Sequence, residues 1–135
     1  MEYDVILPIG LKAEKTETVT GDNTAESWGS GGLPVYATPA MIALMEGAAA
    51  AAVQDRLPDG WSTVGTELKV KHLSASPVGA AIRAVGVLLE VDGRRLRFKV
   101  EAHDNAGKIG EGAHERFIIE NERFLKKTTE KMASH

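Results

Sequence analysis

The chain has 135 residues, with 16 basic and 19 acidic side chains and a net charge of −3. That length suits one domain with a real core, and the charge balance gives no reason to expect nucleic acid or an anionic membrane as partner. Cysteine is absent, which excludes a disulfide frame, a thiolate nucleophile and a cysteine-ligated metal.

The opening MEYDVILPIG has an acidic start and no long apolar core, so it does not read as a signal peptide. A cytoplasmic location is the expectation. Leu11 to Thr20 alternates charged residues with threonine and reads as a strand with one wet face. Residues 21–34 hold four glycines and read as a mobile loop. Trp28 lies in that loop, and its simplest role is to tack the loop to the surface.

The stretch Thr38 to Arg56, TPAMIALMEGAAAAAVQDR, reads as the organising helix. Thr38 supplies a cap and Pro39 an early-turn proline; Leu57-Pro58-Asp59-Gly60 stops it. It is apolar nearly all round, as a helix buried on most sides is. Glu46 is the exception. Ile42, Met45, Ala49, Ala50 and Val53 surround it at helical spacing, and a carboxylate is rarely buried without a partner. It lies either on a thin exposed strip or in a functional position. No apolar run reaches the length of a membrane span.

After the helix the period changes to two. In Trp61 to Ser74, Leu68, Val70 and His72 point one way and Glu67, Lys69 and Lys71 the other. His72 then shares an apolar layer with the helix that carries Glu46. An imidazole and a carboxylate together there stabilise each other's charged forms and invite proton transfer. Ala81 to Val91 reads as a strand with Val85, Val87, Leu89 and Val91 on one face. Asp92-Gly93 is a hairpin signal, and Arg94 to His103 is the partner strand. Its Leu96, Phe98, Val100 and Ala102 alternate with charged residues, so one sheet face is in water and His103 is solvated. Arg94, Arg95 and Arg97 read as a solvated sheet edge that discourages pairing. Asp104 to Gly107 is a second turn, Lys108 to Glu120 the last strand, and Asn121 to His135 a charged tail with a short helix.

Strand, long helix and four more strands joined by tight turns predict a two-layer α+β domain. One sheet cannot cover a helix so apolar, and a second copy of the helix is the simplest cover, which predicts a symmetric dimer. The four histidines show no paired metal spacing. No phosphate loop or nucleophile elbow is present, and the glycines at 107, 110 and 112 follow a hairpin, not a strand that feeds a helix.

Helix on sheet in this order looks like the hotdog fold. VYATPAMIALMEGAAAAAV, STVGTELKVKHLSASPVG, VDGRRLRFKVEAHD and GEGAHERFIIE resemble the fluoroacetyl-CoA thioesterase family within that group. The resemblance runs from about Val35 to Glu120. It implies a single hotdog domain over residues 1–135, with 21–34 as a flexible lid loop and 121–135 as a tail. It makes Thr38, Glu46 and His72 the catalytic set, Gly65 a backbone contact to the thioester, and Arg116 a pocket-lining residue near the acyl group. The substrate is then a small acyl-CoA thioester, with no cofactor beyond the CoA of the substrate and no metal. The fluorine-specific member carries bulky aromatics in the lid, where this chain has Gly29-Ser30-Gly31-Gly32, and Pro39 follows the threonine here. A hotdog hydratase or dehydratase, or a non-catalytic acyl-CoA binding module, are the alternatives. Thr38 and Glu46 are eight residues apart, ~12 Å along a helix, too far to share a hydrogen bond. If they act together, the site is composite across a homodimer, or a tetramer of such dimers, with Thr38 of one copy facing Glu46 or His72 of the other.

Overall fold

The elements run β1 (Lys12–Thr18), α1 (Ala25–Trp28), α2 (Thr38–Gln54), β2 (Trp61–His72), β3 (Ala81–Asp92), β4 (Arg95–Asp104), β5 (Gly107–Glu120) and α3 (Asn121–Ala133). They come from a computed structural model that describes residues 5–133. The expectations for the amino terminus and the tail therefore fall in part outside the described residues.

The five strands form one antiparallel sheet in the order β1-β3-β4-β5-β2. α2 lies across one face, and α2 with this sheet is the hotdog architecture that the resemblance implies. The core is the layer between them. β4 supplies Leu96, Phe98, Val100 and Ala102, all fully buried, as its alternation predicts. β3 supplies Ile82, Ala84 and Leu88. The expected row of Val85, Val87, Leu89 and Val91 is broken: Val85 and Val87 pair with Glu101 and Lys99 on the outer face, but a bulge at Leu89 puts Glu90 opposite Arg97 there and turns Val91 to the inner face opposite Leu96. The helix sits close because its inward side chains are small. A Cβ on Gly86 would lie 2.7 Å from the Ala49 backbone, so glycine is what lets α2 rest on β3.

Four expectations are corrected. The helix cap is Ala37, with Thr38 already in the first turn, no side-chain cap, and the helix ending at Gln54 before Asp55. Thr38's hydroxyl is thus free of capping duty. Residues 21–34 contain a helical turn, because Thr24 and Ser27 form a reciprocal capping box. The arginines at 94, 95 and 97 do not border an edge: β4 is the central strand. There Arg95 pairs with Asp92 and Glu115, and Arg97 with Glu90, on the wet face. Trp28 does not tack the loop to the surface but closes it on itself: its indole N–H donates to the Asp22 carbonyl at 2.7 Å and the side chain is 46 % exposed.

A bulge between Gly65 and Glu67 shifts the register of β2 against β5. Gly65 lies against Glu46 and His72 bonds Thr38, so both ends of β2 face α2 although one number is odd and the other even. β2 is an edge strand, and Leu68 on its inward row stays 38 % exposed beyond the reach of the helix. On α2 itself Pro39, Ala43 and Ala51 are exposed, and Ile42, Glu46, Gly47 and Ala50 only half-covered.

Candidate active site

Two clusters stand along α2. At its start, Thr38 Oγ1 and His72 Nδ1 share a hydrogen bond of 2.7 Å. Burial holds the His72 pKa below the ordinary histidine value, with the Ser74 backbone opposing. Among the described residues, His72 Nε2 is the buried side-chain polar atom without a hydrogen-bond partner. A bare lone pair there costs less than an unmade N–H bond. In the tautomer with its proton on Nδ1, His72 gives that proton to Thr38 and leaves the threonine hydroxyl hydrogen available to a substrate. The pair opens on a cleft of about 290 Å³ lined by Ala25, Ser30, Val35, Tyr36, Ser74 and Ala75. Tyr36 closes one wall; its hydroxyl donates to Glu17 at 2.5 Å. Burial, then the Glu17 carboxylate, push its pKa far above the ordinary phenol value.

Two turns further on, Glu46 reaches over Gly65. Its Oε2 lies 3.7 Å from Arg116 Nη1 and 4.0 Å from His114 Nε2, with the side chain 37 % exposed. Arg116 is locked beneath: Nε donates to Thr63 Oγ1 at 2.7 Å and Nη2 to the Thr63 carbonyl at 2.8 Å. His114 is fully buried; its Nδ1 is 2.8 Å from the Glu67 carbonyl and its Nε2 3.1 Å from Arg116 Nη1. Gly65 is open backbone under this cluster, and a Cβ there would lie 2.7 Å from Glu46 Oε2.

The structure thus brings Thr38 to His72, and Glu46 to Gly65 and Arg116, but it does not bring the two groups together in one chain. Within one chain Glu46 lies against His114 and Arg116 rather than His72. The Thr38–His72 contact, expected across two copies, forms within one. His114 and Thr63 were not singled out in the sequence. A signal existed for His114: it shares the inward row of β5 with Arg116 and the buried Ile118, an unusual place for two polar side chains. Among the described residues no cluster of three or more His, Asp or Glu side chains is placed to hold a metal. Nor is any helix long and apolar enough to cross a membrane.

The family model described as fluoroacetyl-CoA-specific thioesterase matches residues 19–122. This chain belongs to that family. It is 40 % identical over 97 residues to the fluoroacetyl-CoA thioesterase of Streptantibioticus cattleyicolor, covering 72 % of this chain and 70 % of that one. A solved structure of a threonine-to-serine mutant of the fluoroacetyl-CoA thioesterase FlK, in complex with acetyl-CoA, superposes with a TM-score of 0.87. It has 31 % identity and covers 93 % of this chain and 98 % of that one. A hot-dog-like protein from Thermanaerovibrio acidaminovorans shares the fold, with 22 % identity, a TM-score of 0.83 and 92 % of each chain covered. The protein is accordingly a hotdog thioesterase, a hydrolase of acyl-CoA thioesters.

Proposed function

We propose that the protein hydrolyses a small acyl-CoA to the free acid and CoA at a site assembled from two copies, with Thr38 and His72 of one meeting Glu46 of the other. The observation that carries this is the separation of the two clusters on one helix, each with half of the required chemistry, beside a half-covered strip of small residues that a second α2 would cover.

In this reading the thioester carbonyl rests against backbone N–H groups of the uncapped first turn of α2 or of Gly65, which stabilise the oxyanion as it develops. Thr38 donates its hydroxyl hydrogen to a reacting oxygen, oriented by the His72 Nδ1 proton. Glu46 is the attacking carboxylate or the base on water. It suits either role, being partly open to solvent and not ion-paired within hydrogen-bond distance. His72, once its unpartnered Nε2 has taken up the proton released by the incoming water, supplies a proton to the thiolate and returns to the neutral form. Arg116 steadies the carboxylate of Glu46 or of the product.

Thiol release across acetyl-, fluoroacetyl-, branched- and aryl-CoA thioesters tests the reaction. Release of free CoA with Thr38→Ala, Glu46→Gln and His72→Ala each depressed at least tenfold is expected. Turnover of an unsaturated acyl-CoA without thiol release would mark a hydratase, and binding without turnover a carrier. Oxygen-18 water in a single turnover then separates the two roles of Glu46: label missing from the first product acid identifies it as the nucleophile.

A further inference from the structure

The cleft beside Thr38 and His72 is larger than a two-carbon acyl group needs. About 290 Å³ is the room of roughly ten waters at ~30 Å³ each, whereas an acetyl group places one methyl beyond the carbonyl. Within one chain nothing bulky intrudes. Ala25, Ser30 and Ala75 are small, Gly29-Ser30-Gly31-Gly32 form the nearby rim, and Trp28 is turned away by its bond to Asp22. Val35 and the Tyr36 ring give the cleft apolar wall. Resting on the hydrolase reading above, we infer that the acyl group is branched or aromatic, with roughly five to eight non-hydrogen atoms beyond the carbonyl.

The test is the ratio of kcat/KM for benzoyl- or 4-methylpentanoyl-CoA to that for acetyl-CoA. It is at least ten in the wild type, and Ser30→Phe or Ala75→Leu, which fill the cleft, lower it at least tenfold. A wild-type preference for acetyl- or fluoroacetyl-CoA overturns this inference alone, as does a ratio that the filling substitutions leave unmoved. No thiol release from any thioester overturns the hydrolase reading and this inference with it.

A second observation stands apart from the cleft. The Glu67 carbonyl accepts only, so His114 Nδ1 carries a proton; Arg116 Nη1 donates only, so His114 Nε2 is a lone pair. The imidazole is therefore neutral and held in one tautomer. Burial, with Arg116 beside it, also keeps its pKa below the ordinary value. With Thr63 taking the other two guanidinium nitrogens, His114 fixes the third and aims Nη1 at Glu46. We propose that His114 is a positioning residue for Glu46, acting through Arg116.

His114→Asn keeps a donor for Glu67 but cannot reach Arg116, whereas His114→Gln can offer Arg116 an acceptor. The expected result is a kcat at least tenfold lower for Asn, partial recovery for Gln, and no further loss when Arg116→Lys is added to His114→Asn, since both act through one contact. Thermal midpoints within a few degrees show that the folded enzyme is being compared. Wild-type kcat in folded His114→Asn overturns the proposal, as do losses from His114→Asn and Arg116→Lys that simply multiply. Glu46→Gln with full activity overturns the reading of the site beneath it.

Discussion

Replacing Gly65 with alanine separates catalysis from folding at one atom. The new Cβ would lie 2.7 Å from Glu46 Oε2, against an ordinary contact of 3.4 Å or more, so the carboxylate must move by at least 0.7 Å (3.4 − 2.7). The other neighbours, His114 Cε1 at 3.2 Å and Arg116 Nη1 at 3.3 Å, need to give only a few tenths. Gly65 is not among the glycines of positive φ, so alanine meets no backbone strain. Lost freedom in the unfolded chain favours the variant by ~0.4–1 kcal/mol, which offsets much of the crowding. A reacting group misplaced by about 1 Å costs on the order of 100-fold in rate. The expected result is a kcat lower by roughly 10- to 100-fold, about 1.4–2.7 kcal/mol of barrier, with a thermal midpoint within ~5 °C of wild type. Thiol release and calorimetry on the same preparation read both. Undiminished kcat in a well-folded Gly65→Ala protein would refute the placing of Glu46 at the reaction.

Gly86→Ala should show the opposite pattern. Its Cβ meets the Ala49 backbone at 2.7 Å, which cannot swing aside, so the helix must lift and stability should fall by ~2 kcal/mol or more in denaturant titrations. Stability should also depend on pH through His72 and His114, whose folded pKa values are both lowered, chiefly by burial. The unfolded chain then binds more protons, so stability rises with pH; it is fully present above the ordinary histidine value of ~6.5 and is lost as pH falls through the folded values. Denaturation midpoints at pH 7.5 and 5 measure this, and His72→Gln should reduce the difference, leaving the part carried by His114. On the shared-site reading, Ala43→Arg, on the exposed strip of α2, should leave a species of the 14.4 kDa chain mass in light scattering, where the wild type should show twice that, and should abolish turnover.

Much of the fold was legible because it rests on local rules. Alternation in Leu96-Phe98-Val100-Ala102 placed the core face of β4, and Asp92-Gly93 marked its hairpin. What escaped depends on pairing between distant segments. Strand order put β4 in the middle and moved the arginines from an edge to a central wet face. The bulge after Gly65 let residues of both parities face the helix. The site was half-legible: Glu46 stood out as a carboxylate among alanines, and His72 as an inward imidazole. Their partners did not. Whether Glu46 meets His72 or the His114–Arg116 pair is set by how β5 lies beside β2, and no spacing along the chain records that.

Mixing subunits tests the shared site most directly. Thr38→Ala and Glu46→Gln proteins are each weak alone; unfolded together and refolded at equal ratio, half of the dimers are hybrids with one intact Thr38–His72–Glu46 site. The account predicts recovery to about a quarter of the wild-type rate per chain. A mixture no more active than the average of its two parents would contradict it.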